Sequence, residues 1–203
     1  MSTSYELTGR TTQKARTRGG LVVAARVLLA EGVFPTVEQA ADRAGISRTT
    51  AYRYFKNRRA LLAACYPELE APSLLGGDPP ADPVERIEIA VEHFVRQTLE
   101  HEPELRAELR LSLDPASKSE ERPLRTGRGI GWMEDALAPL REHLSDTDFR
   151  RLVLAVRAGC GIEALIWLVD IAGVSRDEAA ATMTWTARTL VESAVAAAAR
   201  GDA

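Results

Sequence analysis

Cysteine is scarce in this sequence, with only Cys65 and Cys160 among 203 residues. Two thiols cannot build a disulfide framework, and no C-x-x-C pair is present, so the expectation is a reducing cytoplasm. Aromatic residues are also few, at 5%. Charge interrupts every apolar run well before the roughly 20 residues a membrane span needs, so no membrane partner is expected. The first twenty residues are polar and lack the apolar stretch of a secretory signal. The 14 glycines and 10 prolines form no collagen-like or low-complexity tract. What is present is 45% hydrophobic and 27% charged residues, enough for a packed core in one domain of ordinary size or two small ones.

Signatures of enzymatic chemistry are missing as well. There is no glycine-rich phosphate loop and no H-E-x-x-H. His93, His101 and His143 are not spaced as a metal set with nearby carboxylates or thiols. No Ser-His-acid arrangement can be argued from spacing. The reading is therefore of a protein that is not an enzyme and has neither a metal nor a resident cofactor.

The net charge of −3 conceals a sharp asymmetry. Residues 1–60 hold eleven Lys or Arg (Arg10, Lys14, Arg16, Arg18, Arg26, Arg43, Arg48, Arg53, Lys56, Arg58 and Arg59) against Glu6, Glu31, Glu38 and Asp42, a balance of +7. The remainder has a balance of −10. A basic head on an acidic body suits a protein whose one end meets a polyanion.

The periodic segments read as helices, and no window alternates with period two, so the fold class is all-α. Residues 1–11, polar and rich in Ser and Thr, are expected to be a flexible arm. A helix from about Gln13 to Ala30 carries Leu21, Ala24, Ala25, Leu28 and Leu29 on one stripe. Thr36 then opens a second helix with Gln39 as its capping-box partner, and Gly45 ends it. Ser47 caps a third helix reaching Phe55, and Asn57 caps a fourth over about Arg58 to Glu70. After a Pro- and Gly-rich break at Ala71–Pro83, Asp82-Pro83 starts another helix. A short helix follows Pro103, and Asp114–Gly131 reads as a loop. A helix over Trp132–Leu144 is interrupted at Pro139. Two long apolar helices close the chain, at about Asp146–Asp170 and Ser175–Ala199. The total is about nine helices.

Function is concentrated in Thr36–Phe55, TVEQAADRAGISRTTAYRYF. A helix of about two turns, a turn containing Gly45 and a second helix with a Ser cap form the layout of a DNA-binding helix-turn-helix. Val37, Ala40, Ala41, Ile46, Ala51 and Phe55 face inward, small where the two helices must cross. Arg48, Thr49, Thr50, Tyr52, Arg53 and Tyr54 remain outside. All can donate hydrogen bonds and none is acidic, which suits phosphates and base edges.

From Lys14 to about Leu62 the sequence resembles the DNA-binding domain of the TetR family of bacterial transcriptional regulators. The likeness is strongest in Ala44–Phe55, followed by Asn57, Arg58, Leu61 and Leu62. Upstream, Arg16, Leu21, Ala24-Ala25, Leu28 and Glu31-Gly32 fit the family's first helix. The connection Gly32–Thr36 is shorter than usual for the family, and Ala51 stands where a larger apolar residue is common. The resemblance implies three parts: an arm at 1–11, a three-helix DNA-binding domain at 12–58, and a helical bundle at 59–203 for effector binding and dimerisation.

Roles follow position by position. Arg48 suits a guanine O6/N7 pair and Thr49 a thymine methyl or a phosphate. Thr50, Tyr52, Tyr54 and Lys56 would hold phosphates, the two tyrosines by the family pattern. Arg53 serves either purpose. Ser47 opens the reading helix, while Thr36 and Arg58 stand at helix starts that favour phosphate. The resemblance further implies a homodimer formed through the last two helices, a palindromic double-stranded DNA operator, and release by a small-molecule effector. Candidate pocket residues are His93, Phe94, Trp132, Met133, Arg157, Glu163 and Trp167. Arg157 and Glu163, six apart, would not meet on one helix. Two rival readings stay open: a redox-sensing regulator acting through Cys65 or Cys160, and a small-molecule-binding protein that no longer reads DNA.

Overall fold

The computed structural model describes residues 3–66, 71–113 and 127–201. Among them are ten α-helices and no strand, in agreement with the all-α expectation. No single helix among the described residues is long and apolar enough to cross a membrane. The described residues form two compact units, one running to residue 66 and joined by 103–113, the other combining 71–102 with 127–201.

In the first unit, α1 spans Thr3–Ala30, α2 Val37–Ala44, α3 Arg48–Tyr54 and α4 Arg58–Cys65. α1 is helical from Thr3 onward, through most of the stretch expected as an arm. No proline interrupts that stretch, so a helix anchored further along continues toward the amino terminus at little cost per residue. Leu21, Ala25 and Leu29 of α1, Val37, Ala40 and Ala41 of α2, and Ala51 with Phe55 at α3 form one apolar core. Leu61, Leu62 and Cys65 of α4 complete it. The expected division after residue 58 therefore does not follow the packing, since α4 is built into the amino-terminal core. An apolar stripe shows that a helix is buried, but not against which neighbour.

Residues 103–113 join this unit through α6, which spans Glu102–Ser112. Arg110 Nη2 donates to the Gly32 carbonyl at 3.3 Å. Gly32 has φ +78°, and a Cβ there would lie 2.9 Å from Arg110 Nη2. Glycine is favoured here by its backbone conformation, while the Arg110 tip could shift to admit a Cβ.

The second unit contains α5 (Pro83–Glu100), α7 (Arg128–Ala136), α8 (Asp146–Ala158), α9 (Ile162–Ile166) and α10 (Arg176–Arg200). Asp82 caps α5 by accepting from the Val84 and Glu85 amides. Ile87, Ala90, Val91 and Val95 are buried along one side of α5, and Ala179, Met183, Ala187 and Val191 recur every fourth residue as the buried stripe of α10. α7 starts before the expected Trp132 and stops at Ala136, passing into a 3₁₀ turn at Ala138–Leu140 where Pro139 cannot donate. Arg86 takes over the freed carbonyls, its Nε donating to Ala136 O at 2.9 Å and its Nη2 to Asp135 O at 2.8 Å. Glu102 and Arg176 form a two-pronged pair at 2.7 and 3.0 Å, with the carboxylate nearly buried.

The expected continuous helix over Asp146–Asp170 is corrected. α8 ends at Ala158, Gly161 takes φ +97° and ψ −170°, and α9 restarts at Ile162 before widening into a π turn at Trp167–Ile171. That break yields ten helices instead of about nine.

Candidate nucleic-acid interface

Each end of the helix-turn-helix is fixed by a local hydrogen bond its sequence supplies. Thr36 N donates to Gln39 Oε1 at 2.8 Å and Gln39 N to Thr36 Oγ1 at 3.2 Å, completing the expected capping box. Gly45 adopts φ +64°, and the Ile46 amide reaches back to Ala41 O at 2.9 Å. This left-handed residue swings the chain into α3. Ser47 Oγ accepts from Thr50 N at 3.3 Å and lies 2.8 Å from Thr50 Oγ1. Ala40, Ala41 and Ala51 have no exposed surface, which lets α2 and α3 pack closely.

This scaffold presents Ser47, Arg48, Thr49, Tyr52, Arg53 and Lys56 as exposed side chains, while Thr36, Thr50, Tyr54 and Arg58 are half-buried. Thr50 is engaged with Ser47, and Tyr54 packs against the core. Asn57 caps α4 by accepting from Ala60 N at 2.8 Å, and the Arg58 guanidinium lies over the Phe34 ring at 5.4 Å. Arg48, Thr49, Arg53 and Lys56 thus stand as a cationic and hydroxyl-bearing surface held on a rigid support.

Sequence reading missed what approaches that surface from α2. The Glu38 carboxylate accepts a hydrogen bond from the Tyr52 phenol, and Asp42 accepts from Arg48 Nη2 at 3.5 Å. The phenol bond is the first cause holding the Glu38 carboxyl below its ordinary range, and it raises the Tyr52 hydroxyl in return. Glu31 and Arg43 form a second exposed pair, and Arg18 of α1 lies over Phe55 at 5.2 Å. The spacing of Glu38 and Asp42 signalled a shared face of α2. Their meeting with α3 required the crossing of two helices.

The expected effector residues all lie in the second unit, and only some are brought together. Phe94 and Trp132 meet edge to face at 5.9 Å, and the Arg157 guanidinium lies 4.9 Å over Phe94. Arg157 Nη1 donates to Cys160 O at 2.8 Å and stands 3.9 Å from Glu163. The expectation that Arg157 and Glu163 would not meet is therefore corrected, because the glycine break between them bends the chain by 45° and ends the single helix that the spacing assumed. Gly129 and Gly161 leave room for Arg157, and a Cβ on either would lie 2.6 or 2.8 Å from its guanidinium nitrogens. Met133 is fully buried, Trp132 donates to Ala71 O at 2.8 Å, and His93 Nδ1 lies 3.3 Å from Leu74 O. Trp167 is 56% exposed and does not join the cluster. A groove of about 560 Å³ between α5 and α10 has Val95, Leu99, Ala180 and Trp185 in its wall and none of the seven expected residues.

Cys65 and Cys160 are both buried, and burial pushes the Cys160 thiol up to about 11. A thiol so held is a poor nucleophile, which disfavours the redox reading. Among the described residues, no group of three or more His, Cys, Asp or Glu side chains is arranged to hold a metal ion.

Residues 21–65 match the family model described as bacterial regulatory proteins, tetR family. A SmeT–triclosan complex has a similar fold, with TM-score 0.58 and 20% identity over 90% of this chain and 91% of that one. A TetR transcriptional regulator from Rhodococcus sp. RHA1 is also similar, with TM-score 0.52 and 21% identity over 87% of this chain and 96% of that one. No curated protein matches the sequence.

Proposed function

We propose that this chain, a DNA-binding regulator of the TetR family by its helix-turn-helix and fold, is a homodimeric cytoplasmic repressor that a small-molecule effector removes from a palindromic operator. The observation that carries the reading is the exposed face of α3, where Arg48, Thr49 and Arg53 project without an acid on the same helix. Arg48 in the first turn is the base reader, and Arg53 and Lys56 hold phosphates. The Thr36 and Arg58 corners supply helix-start amides to the backbone.

One such head covers few base pairs, and a twofold pair reading half-sites about 34–36 Å apart supplies the missing specificity. The exposed Leu154, Trp167 and Ile171 of the α8–α9 region, with the alanine-rich α10, support pairing through the last helices. The Phe94–Trp132–Arg157 cluster supports an aromatic effector bound within the second unit. Such an effector releases DNA by binding the released state more tightly, and a swing from 1:99 to 99:1 takes about 5.5 kcal/mol of differential binding.

The test is a salt titration against random duplex DNA, followed by an operator selected from a random pool. Binding should weaken with a log–log slope of about −0.9 per phosphate contacted. Arg48→Ala should cost about 1–3 kcal/mol and relax preference at one base pair, whereas Arg58→Ala should weaken all sequences alike. A slope near zero for the unmodified protein would favour the small-molecule-binding reading instead. An Arg48→Ala variant with intact preference would remove the base-reading assignment.

A further inference from the structure

The recognition helix has no carboxylate of its own, yet two reach it from α2. Glu38 and Asp42 are four residues apart and therefore share one side of that helix. Glu38 accepts a hydrogen bond from the Tyr52 phenol. A tyrosine phenol is a donor of the kind that a DNA phosphate oxygen takes. Arg48 pairs with the second of these carboxylates, Asp42, at 3.5 Å. The phenol that suits a phosphate is already taken by a carboxylate of the chain itself.

The occupant is not a structural necessity. Tyr52 is 42% exposed, Glu38 is half-buried, and the core beneath is closed by Val37, Ala40, Ala41 and Ala51 without either of them. The capping box that starts α2 uses the Thr36 hydroxyl oxygen as acceptor and the Gln39 side chain, so it persists when Glu38 leaves.

We propose that Glu38 is an intramolecular competitor for one DNA backbone phosphate, which any duplex must displace before the Tyr52 phenol can close on it. This rests on the DNA-reading function proposed above. Phosphate contacts carry no sequence information, so the competition lowers affinity for every sequence and leaves base preference to α3. Glu38 thereby sets how tightly the head holds DNA in general. That property decides how long a regulator dwells on non-operator sites.

The experiment measures binding of the full chain to random duplex DNA across a salt series, for the unmodified protein, Glu38→Gln, Tyr52→Phe and Glu38→Gln/Tyr52→Phe. Glu38→Gln is expected to bind about five-fold more tightly, the worth of one net hydrogen bond, with a slope steeper by up to about 0.9. In the double variant the gain should vanish, because the freed phenol is what captures the phosphate. Glu38→Asp, which keeps the charge but shortens the reach, should also bind more tightly than the unmodified protein; it serves as the test if Glu38→Gln fails to fold by circular dichroism. Equal or weaker binding by Glu38→Gln, or by Glu38→Asp in that event, would overturn the proposal. A gain that survives Tyr52→Phe would overturn it too, by reducing the effect to bulk charge. Loss of preference at a single base pair would make Glu38 a base reader and likewise overturn it. Absence of salt-dependent binding by the unmodified protein would instead strike the DNA-reading function itself, and the arms separate the two failures.

Discussion

Replacing Gly161 by alanine tests the packing around Arg157. Gly161 has φ +97° and ψ −170°, a region of backbone space essentially closed to residues with a Cβ. Forcing alanine into it costs about 1–3 kcal/mol. The added methyl would also lie 2.8 Å from Arg157 Nη1 and 3.2 Å from the Phe94 ring. Overpacking of that kind costs a further 1–3 kcal/mol or so. The expected loss is therefore about 2–6 kcal/mol, a large part of the roughly 5–15 kcal/mol that holds a typical domain folded. Urea unfolding followed by circular dichroism measures it, with Arg157→Ala and the double variant closing a thermodynamic cycle. Removing Arg157 should recover at most the overpacking share, up to about 1–3 kcal/mol less what the Phe94 contact contributes, and leave the backbone share in place. A loss below about 0.5 kcal/mol, the range of an ordinary surface substitution, would refute the argument, because neither the conformation nor the contact could then be as described. Full recovery in the double variant would refute the backbone half alone.

Two further outcomes are expected. Leu154→Asp combined with Ile171→Asp should halve the mass in sedimentation velocity and leave the helical content unchanged, since both side chains are exposed within the subunit and charge would oppose pairing. Cys160, with its thiol pushed up to about 11 by burial, should resist alkylation at pH 8 in the folded protein and react promptly in denaturant. The sign for stability follows. The folded state holds the proton more tightly than the unfolded chain, so this contribution is complete below the ordinary value of 9.0 and declines as pH rises from there toward about 11. Prompt native labelling near neutral pH would reopen the redox reading.

The reading head was the most legible part of the chain because its information is local. The capping box at Thr36 and Gln39, the left-handed Gly45, the Ser47 cap and the small residues at Ala40, Ala41 and Ala51 are each decided within a few residues. Such signals act through short hydrogen bonds and steric limits that hardly depend on the rest of the fold. The clear boundaries of α5 and α10 have the same origin, in Asp82 and Ser175.

Other features were settled only when distant parts of the chain packed. Helical periodicity marked α4 as amphipathic but did not assign it to the amino-terminal core, because a stripe does not name its partner. It also carried one phase through Gly159–Gly161, so that Trp167 was expected inside and stands exposed, while Arg157 and Glu163 were expected apart and lie 3.9 Å from each other. One glycine with positive φ resets direction and phase together, which linear spacing does not express. On the recognition surface, composition determined that α3 itself would bear only donors. The crossing of α2 over α3 decided that Glu38 and Asp42 would answer them, since charges on separate helices interact by distance, and distance belongs to the folded chain.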